Sequence, residues 1–104
     1  MRIAKVNVNN LEAGILSELE FTRKYRFEYN KGYSGPPVSL TMPVDILVYN
    51  FNSFPPFFDG LLPEGYQLEG LLKFKKIDRN DLFSQLLTVG KDLVGNVTIN
   101  EIKE

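Results

Sequence analysis

Ala4, Val6 and Val8 alternate with polar neighbours, which is the period of a strand with one buried face. Asn9-Asn10 follows, and because asparagine tolerates positive φ the pair predicts a tight turn into a second strand through Leu11, Ala13 and Ile15. The clearest alternation comes next, with Tyr25, Phe27 and Tyr29 on one face and Lys24, Arg26 and Glu28 on the other. Gly32-Tyr33-Ser34-Gly35-Pro36-Pro37 predicts a loop, since glycine and proline at that density suit neither a helix nor a central strand. Val38, Leu40 and Met42 alternate again up to Pro43. Residues 45–51 are rich in β-branched and aromatic side chains, which favours a short strand or extended segment.

Beyond that point the period becomes helical. Ser53 is a candidate cap for a short helix opening on Pro55 and Pro56, and Phe57, Phe58, Leu61 and Leu62 follow at helical spacing as core residues. Pro63 interrupts, and Glu64 begins a second helix with Leu68, Leu71 and Leu72 on one side. Asp78 is the candidate cap of a third helix with the stripe Leu82, Phe83, Leu86 and Leu87, and Gly90 suits its C′ position. Val94 to Ile99 reads as a final strand returning to the sheet. The fold class is therefore α+β: a mostly antiparallel β-sheet with about three short helices packed on one face, in a single domain over residues 1–104.

Composition narrows the chemistry. Eight Phe and five Tyr point to a core built on rings, each of which buries a large area. Twelve basic against thirteen acidic residues give a net charge of -1, which does not favour direct nucleic-acid binding. The one dense basic cluster, Lys73, Lys75, Lys76 and Arg79, reads as a solvated helix end. With neither cysteine nor histidine, disulfides, thiolate zinc sites and histidine acid–base chemistry are excluded. Asp78 and Asp81 are better explained by capping than by a metal, and Glu18 and Glu20 by a solvated strand edge. Gly90-Lys91-Asp92 lacks the spacing and hydroxyl of a phosphate loop, and no kinase set of catalytic and metal-binding residues is present. The expectation is no catalytic, cofactor-binding or metal-binding residue. The N-terminus is not a signal peptide, no run approaches a membrane span, and a cytoplasmic location follows as the expectation.

Four segments in register carry a resemblance: Gly35-Pro36-Pro37-Val38-Ser39-Leu40-Thr41-Met42-Pro43; Phe54 through Gly65, with its Pro-Pro-Phe-Phe and Pro-Glu-Gly; Asp81-Leu82-Phe83; and Val89 through Gly95. Together they resemble the N-terminal subdomain of HipA-family serine/threonine kinases over nearly the whole chain. In that family a large kinase body with the ATP site normally follows. Here the chain ends at Glu104, just after the last predicted strand, so the expectation is a free-standing protein. That is similar to HipS of tripartite HipBST toxin–antitoxin systems in bacteria. The resemblance implies an antitoxin that binds and inhibits a HipT-like kinase toxin, with a HipB-like DNA-binding protein as a further partner in a ternary complex. The alternative is the regulatory or structural N-terminal domain of an intact HipA-type kinase, and a peptide-binding module with an exposed sheet edge is a third reading.

The partner-binding candidates are Pro63, Glu64, Gly65, Tyr66 and Gln67. Many family members carry a polar residue after Pro-Glu-Gly, where this chain has Tyr66. Tyr66 lies about 200° around a helix from Leu68, so it points away from the leucine stripe. An exposed tyrosine is a reasonable anchor for a partner. The plainer readings are a ring lying on its own domain for Tyr66, helix-start electrostatics for Glu64 and turn geometry for Pro63 and Gly65. Tyr33 is a second aromatic candidate, with loop packing as its plainer role.

Overall fold

The computed structural model describes residues 1–93 and 95–103. The elements run β1 (Arg2–Val8), β2 (Leu11–Glu20), β3 (Lys24–Tyr29), β4 (Val48–Phe51), α1 (Pro56–Asp59), α2 (Gly65–Lys75), α3 (Leu82–Val89), a 3-10 turn (Gly90–Asp92) and β5 (Val97–Ile102). One five-stranded sheet in the order β4-β3-β2-β1-β5 is antiparallel throughout. The fold is α+β with helices supplying core residues to one sheet face, as the alternation and the helical stripes predict. The last strand runs Val97–Ile102, and Val94, where the sequence places its start, lies outside the described residues.

Cross-strand rows explain the core. Tyr49, Phe27, Leu16 and Ala4 stand opposite one another across β4, β3, β2 and β1, and Tyr29, Gly14, Val6 and Ile99 form a second row ending on β5. Ala4, Leu16, Phe27, Val6 and Ile99 are fully buried, and Phe58 of α1 with Phe83 and Leu86 of α3 close over them. The two asparagines at positions 9 and 10 take φ of 51° and 66°, the paired positive values that a tight hairpin turn demands.

The second strand departs from simple alternation. Val6 pairs with Gly14 but Asn7 pairs with Glu12, so Ala13 is an extra, bulged residue. A bulge reverses which residues face inward. Ala13, Leu16 and Glu18 therefore go to the core, while Ile15 is half-buried and Leu11 is exposed. Gly14 is required where it stands, because a Cβ there would meet the Glu28 carbonyl oxygen at 2.3 Å and the Phe27 ring at 2.9 Å.

Val38, Leu40 and Met42 alternate in sequence but do not form a strand. Val38 and Met42 are buried while Leu40 is 94% exposed at the tip of a turn closed by the bridge between Ser39 and Met42. The Tyr29 hydroxyl accepts from the Val38 N–H at 2.9 Å and donates to the Met42 carbonyl, so a side chain replaces the missing strand ladder. Tyr33 stacks on Tyr29 with centroids 5.8 Å apart and donates its hydroxyl to the Pro36 carbonyl, the loop-packing role.

Helix ends differ from expectation in three places. Ser53 caps nothing: Pro55 is the N-cap of α1 and makes no side-chain cap bond. Asp81, not Asp78, caps α3, accepting from the Ser84 N–H at 3.1 Å. Asp78 instead shapes the preceding turn, its carboxylate accepting from the Asn80 N–H at 2.7 Å. Gly90 is right-handed, with φ -58°, and leads into the 3-10 turn. Its small size is needed because a Cβ would sit 2.5 Å from the Ile99 carbonyl oxygen.

Glu18 is the largest correction. Far from lining a solvated edge, it is 3% exposed. Arg2, directly opposite on β1, donates Nε and Nη2 to its two oxygens at 2.7 and 2.9 Å. The Thr22 N–H and the Tyr25 hydroxyl complete its hydrogen bonds at 3.1 and 3.3 Å. A buried carboxylate persists only when paired in this way. The same guanidinium reaches Asp81 at 2.9 Å and the Ser84 hydroxyl at 2.7 Å. It lies 5.0 Å from the ring centroids of both Phe21 and Phe83.

Candidate functional site

Pro63 to Gln67 forms the junction between α1 and α2. Pro63 cannot extend the turn after α1, and Glu64 is extended, with φ -129° and ψ 164°, as the N-cap of α2. Gly65 then takes φ +61°, a left-handed value, at the first position of the helix. Its Cα faces open space, so backbone conformation rather than crowding calls for glycine here. This break aims the first turn of α2 outward.

The consequence is plain at the next residue. Tyr66 is 97% exposed, whereas Leu68, Leu71 and Leu72 are half-buried on the inner side. The helical spacing predicts that division, and no domain side chain covers the ring. Glu64, Gly65 and Gln67 are also exposed, and Pro63 is half-buried. Pro63 and Gln67 border an open groove whose far wall includes Thr88 and Val89 of α3. On the other side Pro63 and Glu64 border a smaller depression with Arg79 and Gln85.

Two further residues stand out around α2. Gln85 is 1% exposed, and its amide donates to the carbonyls of Asp78 and Arg79 at 3.3 and 3.0 Å. It thereby pins the segment returning from α2 to α3 and leaves that buried amide satisfied. Phe74, 88% exposed, is the second aromatic on the outer side of α2. The sequence carries a signal for it: at about 100° per residue Phe74 falls near 80° from Tyr66, outside the leucine stripe. Gln85 carries no such signal, because a polar residue in an apolar helix reveals its partners only once the loop is in place.

The electrostatics of the domain concentrate away from this junction. Burial alone would raise the Asp81 pKa, but hydrogen bonds from Arg2 and Ser84 outweigh it and hold the carboxyl below the usual range. Burial, followed by the neighbouring Glu18 charge, pushes Tyr25 up to about 12. Among the described residues no group of acidic side chains has the arrangement to hold a metal ion, and no helix is long and apolar enough to cross a membrane.

The sheet with its α1 and α3 cover defines a small α+β domain. The sequence model of the HipA N-terminal domain matches residues 4–100, and the chain belongs to that family. It is similar to a protein of Haemophilus influenzae (strain ATCC 51907 / DSM 11121 / KW20 / Rd) described as uncharacterized, at 33% identity over the whole chain and 96% of that relative. Among solved structures it resembles one described as the N-terminal domain of HipA toxin. That likeness has 30% identity and a TM-score of 0.78, covering 100% of this chain and 95% of the other.

Proposed function

We propose that this chain is a non-catalytic antitoxin that binds and inhibits a HipA-like serine/threonine kinase toxin in the cytoplasm. Membership of the HipA N-terminal domain family supports the choice of a kinase as partner. The observation that carries the reading is Tyr66, an aromatic ring 97% exposed at the tip of a turn built by Pro63, Glu64 and Gly65. A bare tyrosine on a defined turn is an inexpensive anchor, since few rotamers are lost when it is buried in a partner. In this mechanism Pro63 to Gln67 sits at the mouth of the kinase active site and obstructs nucleotide, substrate or the closing motion. A HipB-like DNA-binding protein is the proposed third component.

A second reading makes the chain the regulatory N-terminal domain of a HipA-type kinase in cis. The likeness to a structure described as the N-terminal domain of HipA toxin favours it. The near-complete cover of the Haemophilus influenzae relative, 96%, favours the free-standing reading. Co-expression with a separate HipA-type kinase separates the two. Growth rescue together with a stable complex supports the antitoxin. A complex without rescue supports a structural role, and the absence of both overturns the kinase reading.

A further inference from the structure

The outer face of α2 is built unlike the rest of the domain. None of the helix's eleven residues is buried, and left-handed residues bound it at both ends, Gly65 with φ +61° and Lys76 with φ +54°. Its two aromatic rings are almost wholly in solvent, at 97% for Tyr66 and 88% for Phe74. Eight residues of helix rise about 12 Å, so the rings stand about two turns apart on the outward half. Between them lies Gly70, where an added Cβ would meet nothing within 4 Å. A glycine in mid-helix is unfavourable by propensity, and no contact within this domain requires one. What remains is a bare strip of backbone between two projecting rings, a surface that a partner can approach closely.

Charge identifies the kind of partner. Glu69, on this half of the helix, is already neutralised by Arg79 at 2.6 Å. Among the described residues Lys73 and Lys76 make no ion pair. The outer face of α2 is thus apolar and cationic within a chain of net charge -1. An aromatic pair flanked by unpaired ammonium groups matches an apolar protein surface bordered by carboxylates.

We infer that α2 docks along its length on an apolar, carboxylate-rimmed surface of the kinase partner. Tyr66 and Phe74 are its two anchors, Gly70 is the point of closest approach, and Lys73 with Lys76 face the acidic rim. This rests on the kinase reading and extends it from the first turn of the helix to the last. Among the described residues the exposed sheet edges carry no pair of almost wholly exposed rings beside unpaired lysines.

Titration of the purified kinase with the full chain and five variants tests it. Phe74→Ala weakens binding at least tenfold, with thermal stability unchanged. Lys73→Glu/Lys76→Glu weakens it at least tenfold and flattens its salt dependence. Gly70→Ala raises the Tm of the free chain by roughly 4 °C, while Gly70→Trp leaves the fold intact and abolishes tight binding. If Tyr66→Ala weakens binding while the Phe74, Gly70 and lysine variants bind like wild type, the extended interface is overturned and the antitoxin reading stands. If the wild-type chain does not bind the kinase, both fall. Saturable binding to anionic phospholipid vesicles or a single-stranded oligonucleotide that depends on Phe74, without kinase binding, overturns the assignment of a protein partner.

Discussion

Arg2 and Asp81, 79 positions apart in the chain, are joined by a 2.9 Å ion pair that ties the first strand to the cap of α3. Asp81 thus has two tasks, holding the Ser84 N–H as a cap and receiving Arg2 as a counter-ion. Glu18 completes the arrangement from β2, so one guanidinium links β1, β2 and α3. A charged cluster at the margin of an aromatic core is sensitive to the loss of any single member.

Replacing Arg2 by Met leaves Glu18, 3% exposed, without a cation and costs about 3 kcal/mol. Adding Glu18→Leu to Arg2→Met recovers most of that loss, because two apolar groups then replace a matched pair. Urea midpoints of the two single variants, the double variant and the wild type measure the coupling. Additive losses show that the two residues stabilise the fold independently.

The depressed Asp81 pKa has a definite consequence for acid stability. A carboxyl that titrates lower in the folded than in the unfolded chain contributes stability above its unfolded pKa, lost as the pH falls through its folded value. The domain therefore loses stability below about pH 4, the ordinary carboxylate range. Asp81→Asn is less stable at neutral pH and shows a shallower fall on acidification. Denaturant midpoints at neutral and acid pH check this, and an acid limb unchanged in Asp81→Asn assigns the loss to other carboxylates.

Tyr66→Ala separates function from folding. The ring is 97% exposed, so its removal leaves thermal stability within about 0.5 kcal/mol of wild type. As a hot-spot anchor it accounts for about 2 kcal/mol of binding, roughly a 30-fold weaker complex with the kinase. Calorimetric titration beside a melting curve reads both. Wild-type affinity and undiminished growth rescue in Tyr66→Ala rule out the plugging mechanism.

Gly90→Ala places a methyl group 2.5 Å from the Ile99 carbonyl oxygen, between the end of α3 and β5. Either the 3-10 turn or the edge strand shifts, at a cost of about 2 kcal/mol. Amide exchange shows where the strain is released, with faster exchange across β5 expected. Unchanged protection and stability mean that the turn accommodates the methyl group without loss.

The sequence by itself determined the elements whose signal is local. Alternation at Ala4, Val6 and Val8 and at Tyr25, Phe27 and Tyr29 marks strands, because a single buried sheet face selects every second residue. Asn9-Asn10 specifies its turn through a backbone preference of those two residues alone. The outward projection of Tyr66 was legible too, since helical spacing separates it from Leu68 without reference to anything else in the fold. Motif order was enough to suggest the family.

Tertiary structure decided what depends on distant partners. The bulge at Ala13 sends Glu18 inward, and Arg2 across the sheet, with the Thr22 N–H and the Tyr25 hydroxyl, makes that burial tolerable. Spacing names Asp78 as the cap of α3, yet Asp81 takes that place, where it also receives Arg2 from β1. Val38, Leu40 and Met42 alternate like a strand, yet Tyr29 satisfies the Val38 N–H with a hydroxyl and holds the segment as a turn. In each case the deciding energy is a pairing between residues far apart in the chain, which local periodicity does not encode.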